Sequence, residues 1–401
     1  MARPIVCARL RVGVTSVTLG IRNASAIRVR PLRVLYFVSS FEQGGAERQV
    51  AELVRHLPRD RFEPHLAVCN TRNDFGYDLG VASAIDLKAP AGPTPRTFLS
   101  LLAHVRRLRP DVVHAYHDPQ NTYARLAVKM ARSGAVVGSL RCTRLPSRTI
   151  RRERLTHGLG GALVVNSVGI RDELERRAKI RRDLVDVIEN GVDGDRFVPL
   201  ETRDRDEARA RFGMRGTTIV LPGRIAWQKN QLAAIRAVSM LRARGEWPEG
   251  ARLLLAGRAC APAKYVRLVD LAIRALRVSD VVARIDPVRD AENLLAAADA
   301  VLLPSRFEGL PNVVLESLAC ETPPIVSPEA NADALVEDAT GVVLRGSGAR
   351  DVAEGMRRFF ATSRAEREAM GARGRASVVE RFDVAKMVAA TCAVYDRVAL
   401  S

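Results

Sequence analysis

The sequence predicts an α/β protein built from two Rossmann-like parallel-sheet domains that face a central cleft. Three observations lead there. At 401 residues the chain exceeds the length at which a single core stops growing, about 250–300 residues. Short, continuously apolar runs alternate with helical periodicity along most of its length, the pattern of βα units whose strands are buried on both faces. Two junctions, at Gly44-Gly45 and at Glu308–Asn312, read as strand, loop and helix. There the unpaired backbone N–H groups and the positive end of the helix dipole suit an anion.

Residues 1–31 are rich in Arg and small residues and carry no acidic side chain, and they read as a disordered basic leader. Their longest apolar stretch is broken by Gly13, Thr15, Ser16 and Thr18, unlike the continuous core of a signal peptide. The first domain, 32–198, opens with a strand at Arg33–Ser39, the two glycines and a helix from Ala46 to about Leu57. Strands follow at Pro64–Cys69, Asp111–His114, Ala135–Leu140 and Ala162–Asn166, with helices at Thr97–Leu108 and Asn121–Ala131 between them. Val187–Val192 closes this domain as a strand running into an Asn-Gly turn.

Residues 199–216 are polar, contain Pro199, Gly213 and Gly216, and read as a linker. The second domain, 217–380, repeats the alternation. Its strands fall at Thr218–Leu221, Leu253–Ala256, Val281–Ile285, Ala300–Leu303, Pro324–Ser327 and Val342–Leu344. Its helices fall at Gln231–Arg244, Tyr265–Leu276, Ala291–Ala298 and Val352–Phe360. Residues 381–401 hold a last helix, Val384–Val398, placed to cross back to the first domain.

Composition narrows the class. The apolar fraction of 47% is ordinary for a globular protein, and no run approaches the roughly 18–20 apolar residues of a membrane span. Six scattered cysteines show neither disulfide nor zinc spacing and fit a reducing compartment. The net charge of +18 is uneven: residues 1–200 hold 33 Lys+Arg against 19 Asp+Glu. A basic first half points to an anionic partner.

The run Leu303–Leu318 organises the chemistry. An apolar strand ends at Pro304, and Asn312 and Pro311 mark the start of a helix as cap and first-turn residues. Glu308 lies before that opening and Glu316 about one turn inside it. Two carboxylates beside an anion site fit a phosphate flanked by hydroxyl-rich groups, since carboxylates accept hydrogen bonds from sugar hydroxyls. After the first strand of the second domain, Gly223-Arg224 and then Lys229 offer a guanidinium fork and a point charge able to neutralise a diphosphate without a metal.

Glu308-Gly309-Leu310-Pro311 with Glu316, the Gly-Arg…Lys run and the N-terminal Gly-Gly loop resemble the motifs of retaining glycosyltransferases of family 4, which have the GT-B fold. The resemblance spans about residues 33–345. It implies transfer of a sugar from a nucleotide-diphosphate sugar, with retention, to a glycan or lipid-linked glycan acceptor. It implies donor contacts from Gly44, Gly45, Arg224, Lys229, Gly309, Leu310, Asn312, Val313 and Glu316, with Glu308 at the donor sugar and Glu316 at the ribose. Two departures stand out: Asp286 replaces a glycine near the nucleotide base, and the segment after the strand at Asp111–His114 lacks the family's second His in register. His117 is therefore the expected acceptor-side catalytic group, with Tyr116 or Asp118 as alternatives.

No cofactor or metal is expected; Asp193–Asp195 and Asp204–Asp206 superficially match an Asp-x-Asp metal motif but lie in a turn and in the linker. The cations Arg148, Arg151 and Arg152 would form a basic patch toward the acceptor or an anionic membrane surface. Since the resemblance implies that the first half faces the acceptor, the expectation is a cytoplasmic enzyme, peripheral on the inner face of the plasma membrane, in surface polysaccharide (exopolysaccharide, capsule or lipopolysaccharide) assembly. Two other classes remain open at this point: a nucleotide-sugar epimerase of the same fold, and a basic nucleic-acid-binding protein. The low aromatic content of 5% speaks against the second, so no nucleic-acid partner is expected.

Overall fold

The computed structural model describes residues 30–41, 44–71, 73, 76, 78–89, 94–259 and 263–400. Nearly all of the basic leader, and with it Cys7, lies outside the described residues.

The first half contains β1 (Leu32–Val38), α1 (Gly45–Arg55), β2 (Phe62–Val68), β3 (Ser83–Asp86), α2 (Pro95–Leu108), β4 (Val112–Tyr116) and α3 (Gln120–Ala131). It continues with β5 (Ala135–Leu140), α4 (Ser147–Thr156), β6 (Ala162–Val165), α5 (Val168–Glu173) and β7 (Val185–Val187). These strands form one parallel sheet in the order β3-β2-β1-β4-β5-β6-β7. The unbroken apolar character of β1 has a direct cause. Val34, Tyr36 and Val38 enter the core on the α1 side, while Leu35 and Phe37 enter the core lined by α2 and α3.

The second half contains α6 (Thr202–Arg211), β8 (Thr218–Pro222), α7 (Gln231–Ala243), β9 (Arg252–Ala256), α8 (Ala263–Ala275), β10 (Val282–Ile285) and α9 (Ala291–Ala297). Then come β11 (Ala300–Leu303), α10 (Asn312–Ala319), β12 (Pro324–Val326), β13 (Val342–Val343), α11 (Ala349–Ala361), α12 (Arg364–Arg381) and α13 (Val384–Ala399). Its parallel sheet runs β10-β9-β8-β11-β12-β13. Each sheet reverses its strand order once, between β1 and β4 and between β8 and β11. Ligands of such folds sit at the carboxyl ends of the strands at that reversal.

Four local expectations need correction. The closing strand is Val185–Val187 and stops before Ile188, because the peptide groups at 190–192 are used elsewhere: Gly191 bonds Gln49, and Val192 bonds the backbone of Phe382 and Val384. The polar stretch at 199–216 is not a plain linker. It folds as α6, which buries Ala208 under the second sheet and ties Arg205 and Arg209 to Asp299 at 3.0 and 3.1 Å. The edge strand β3 and helix α12 escape the apolar-periodicity reading. In α12, glycines stand in for apolar contacts, since a Cβ at Gly371 would lie 2.1 Å from the Glu321 carbonyl and one at Gly374 2.6 Å from Leu318. Asn312 is not the cap of α10 but its first residue, with Pro311 at the cap position.

Helix α13 leaves the second half and lays Val384, Met387, Val388, Tyr395 and Val398 into the first-half core. There Tyr395 donates to Tyr36 Oη at 3.2 Å, and its hydroxyl meets His114 Nδ1 at 2.6 Å. The outgoing strand of chain at Val192 pairs with the returning one at Asp383, so both crossings between the halves run side by side.

Candidate active site

Both strand-order reversals open onto the same cleft, and the motif residues sit at them. On the second-half side, Gly223 adopts φ +123°, a conformation side chains rarely take, which folds the loop so that Lys229 returns over it. Lys229 Nζ then donates to Glu308 Oε1 at 2.7 Å, and Gln228 Nε2 donates to Glu308 Oε2 at 3.2 Å and to the Phe307 carbonyl at 3.0 Å. The two loops of this reversal are thereby zipped together, with Arg224 exposed beside them.

Gly309 marks where the halves meet. A Cβ there would lie 2.6 Å from the Arg141 carbonyl and 2.7 Å from Asn166 Oδ1, so only glycine permits this approach. From the facing half, Thr143 Oγ1 donates to the Glu308 carbonyl at 2.6 Å. No side chain caps α10, so its first N–H groups stay available to a ligand. The Asn312 amide instead donates to the Gly45 carbonyl at 2.7 Å and accepts from Asn190 Nδ2 at 2.6 Å. Asn190 also donates to the Leu310 carbonyl at 2.8 Å, while its oxygen accepts from Arg141 at 2.8 Å and Asn166 at 3.2 Å. Leu310 itself points into the second-half core, and Val313 stays half-exposed at the helix opening. Glu316 is buried one turn further in, where Arg48 of α1 donates to it at 2.5 Å.

On the first-half side, Gly44 precedes α1 and Gly45 begins it, and that loop lies against Asn312. His117 follows β4 with φ +69° and shares a pocket with Ser39, Ala46, Val50 and Tyr116. Burial, helped by the positive charges of Arg141 and Arg224, pushes its imidazole down to about 4. The ring is therefore neutral at pH 7.

Of the alternatives, Tyr116 is buried, stacks on the His114 ring with centroids 4.4 Å apart and lies under Arg141. Asp118 is already engaged: it accepts from Thr122, from Thr149 and from Arg152 at 2.9 Å, which fixes α4 against the strand ends. Arg152 is thus paired with Asp118 while staying partly exposed, and Arg148 and Arg151 are exposed on α4. Several downstream cations are likewise paired locally, Arg176 and Arg177 with Glu173 and Arg182 with Asp172.

Asp193 Oδ1 accepts from the N–H groups of Asp195 and Arg196, closing a turn, and Asp204 and Asp206 lie on α6. Glu52, His56 and Asp193 bring ligand atoms within 4.8 Å of one another, with Arg196 3.4 Å from Glu52.

The Asn166-Ser167 and Asn190-Gly191 segments, which resemble cleft-shaping turns of the family, do lie in the cleft. Sequence reading missed Arg48 and Arg141 as cleft residues, two among many arginines.

The depressed His117 pKa has a measurable consequence. An unfolded chain takes up this proton below about pH 6.5, while the folded one resists until about 4. The unfolded state binds more protons in that window, so stability should fall as pH drops through it. Urea unfolding of wild type and His117→Gln at pH 7, 6, 5 and 4.5 should show the gap between them shrinking or reversing toward acid. A gap independent of pH would mean that His117 keeps an ordinary pKa.

The arrangement joins an open helix end, two cations and two hydroxyl-accepting carboxylates on one wall to a neutral imidazole on the other. Comparison with known proteins agrees with it. Residues 43–196 match the family described as Glycosyltransferase Family 4, and residues 216–362 match Glycosyl transferases group 1. A GDP-mannose-dependent monoacylated alpha-(1-6)-phosphatidylinositol monomannoside mannosyltransferase from Corynebacterium glutamicum is 32% identical over 47% of this chain. The chain spans only 50% of that relative's length. A D-inositol 3-phosphate glycosyltransferase from Saccharomonospora viridis is 27% identical over 86% of this chain and 79% of its own. Among solved structures, Anabaena Alr3699/HepE in complex with UDP and glucose superimposes with a TM-score of 0.78 at 17% identity, over 91% of this chain and 99% of that one.

Proposed function

We propose, from the premise that this chain belongs to the family 4-like glycosyltransferases of the GT-B fold, that it moves a sugar from a nucleotide-diphosphate sugar to an acceptor hydroxyl with retention of configuration. The observation that carries this reading is the placement of Glu308 and Glu316 on either side of the uncapped α10 opening, with Lys229 on Glu308 and Arg224 alongside.

In this reading the α10 N–H groups, Arg224 and Lys229 hold the diphosphate and stabilise the charge that builds on it as the bond to the sugar breaks. Glu308 orients the sugar, and Glu316 accepts from the ribose hydroxyls in exchange for Arg48. The acceptor hydroxyl attacks from the face that the diphosphate leaves, and its proton passes to a phosphate oxygen. His117, neutral at pH 7, lines the acceptor side. The two cations supply the charge that a metal would bring, so transfer proceeds without one.

The acceptor is proposed to be a phosphate-bearing or lipid-linked polyol or glycan, at the inner face of the plasma membrane and in surface polysaccharide assembly. Support comes from the phosphatidylinositol-linked and inositol-phosphate acceptors named for the two relatives. Further support comes from Arg148, Arg151, Arg154 and the 72% exposed Leu155, which share the outer side of α4. Among the described residues no helix is long and apolar enough to cross a membrane.

A thermal-shift screen of UDP- and GDP-sugars tests the donor, since a ligand at about 100 times its Kd stabilises by roughly 2.7 kcal/mol. One donor should raise the melting temperature equally with and without EDTA, and EDTA should leave transfer intact. No shift with any nucleotide sugar would sink the reading. Co-sedimentation with phosphatidylglycerol vesicles should require the anionic lipid, fade with salt and weaken in Arg148→Ser/Arg151→Ser. Failure to pellet at low salt would remove the membrane from the proposal.

A further inference from the structure

Trp227 is 48% exposed, two residues before Lys229, in a protein with only two tryptophans. Its ring centroid lies 6.1 Å from that of Phe307, the residue before Glu308. The aromatic pair is held in register with the donor pair, because the Arg306 N–H donates to the Gln228 carbonyl at 2.8 Å and Gln228 reaches back to Phe307 and Glu308. Two guanidiniums lie over these rings. Arg306 stands 4.7 Å from the Trp227 centroid, and Arg144, from the opposite half of the molecule, stands 5.2 Å from Trp227 and 5.4 Å from Phe307.

A guanidinium stacked on an aromatic face keeps its in-plane N–H donors directed outward. Arg306 spends one donor on Asn230 Oδ1 at 3.1 Å, and among the described residues no carboxylate pairs with Arg306 or Arg144. The cluster therefore offers the exposed part of the Trp227 ring and unspent charged donors side by side, next to Glu308. An uncharged glycan would use the faces and leave the donors idle. A free anion would use the donors and leave the faces idle.

We propose that Trp227, Phe307, Arg144 and Arg306 form an acceptor subsite for a phosphorylated ring polyol, with the polyol's C–H groups against the exposed part of Trp227 and the phosphate forked between the two arginines. The assignment rests on the glycosyltransferase reading above, and it names the part of the acceptor that this cleft recognises. Because Arg144 comes from the first half and Trp227 from the second, the subsite is complete only when the halves are closed on each other.

The test reads Trp227 directly. In a Trp247→Phe background Trp227 is the single indole, and its emission is followed without donor while myo-inositol 1-phosphate, myo-inositol or inorganic phosphate is added. The phosphorylated ring should change the emission saturably, and each fragment should bind at least about tenfold more weakly. Arg144→Gln and Arg306→Gln should each weaken binding about tenfold, with nucleotide-sugar affinity in calorimetry unchanged. Vesicles with phosphatidylinositol, against phosphatidylcholine alone, separate the two sources of the same chemistry. A response to the soluble compound assigns a free polyol phosphate, and a response to the vesicles alone assigns a lipid headgroup. Silence toward both, equal binding of uncharged inositol, or arginine variants that bind as wild type would overturn the proposal. Failure of every nucleotide sugar to bind would instead strike the transferase reading, which this emission assay does not depend on.

Discussion

Glu308→Ala should lower sugar transfer by about 10²- to 10³-fold while nucleoside-diphosphate affinity stays within a few-fold of wild type or tightens, the loss expected when one preorganised group at the reacting centre is removed. In the structure Lys229 Nζ donates to Glu308 at 2.7 Å, and the proposed reading also assigns it to the diphosphate. Removing the carboxylate frees that charge for the phosphates and at the same time takes away the group that orients the sugar. Binding and turnover should therefore part company, with kcat falling and the donor KM nearly constant. Glu316→Ala should behave in the opposite way. Its carboxylate accepts from Arg48 and, in the proposed reading, from the ribose hydroxyls, so nucleotide affinity should drop about tenfold, the value of one charge-assisted hydrogen bond. Calorimetry with UDP or GDP beside initial-rate kinetics distinguishes the two glutamates. Equal nucleotide affinity in wild type and Glu316→Ala, or a Glu308→Ala enzyme with unimpaired turnover, would reverse the assigned roles.

Why some of this site can be read from sequence and some cannot follows from how far apart the partners lie. Glu308, Gly309 and Glu316 belong to one local strand–loop–helix unit, so spacing alone places the carboxylates around one helix opening. Strand β11 was read to the residue because Ala300–Leu303 is buried on both faces and so carries no polar alternation. Arg48 and Glu316 are 268 residues apart, and nothing in either segment announces the other. The same holds for Asn190, whose four bonds reach Arg141, Asn166, Leu310 and Asn312. The motif resemblance implied a donor contact for Gly309, but what demands a glycine there is its close approach to Arg141 and Asn166 of the facing half. Helix α4 shows the limit from another side. Its arginines could be counted, but which of them carry an unpaired charge depended on Asp118, a residue from a different loop that pairs with Arg152.

The largest stability effect should come from that same region, at a pair with no part in the chemistry. Glu153 of α4 and Arg125 of α3 are both fully buried, with Arg125 Nη1 donating to Glu153 at 2.7 Å and to Thr156 Oγ1 at 3.0 Å. Asn121 donates to the other carboxylate oxygen at 3.0 Å and exchanges bonds with the backbone of Ser139 on β5. Glu153→Ala leaves a guanidinium in a dry interior with no counter-charge, which costs about 3–5 kcal/mol. Replacing both partners, as in Arg125→Met/Glu153→Leu, removes the charge and its desolvation together and should recover most of the loss. Both tryptophans lie in the second half, so their emission follows that half, whereas far-UV circular dichroism follows both. Urea titrations of Glu153→Ala should therefore move the circular-dichroism midpoint further than the fluorescence midpoint. The ion pair holds α4 where Thr149 and Arg152 clamp Asp118 beside His117, so the double variant should regain stability with the clamp in place. A Glu153→Ala protein within about 1 kcal/mol of wild type would show that water or a shifted side chain reaches Arg125, and that the pair does not hold α4 in position.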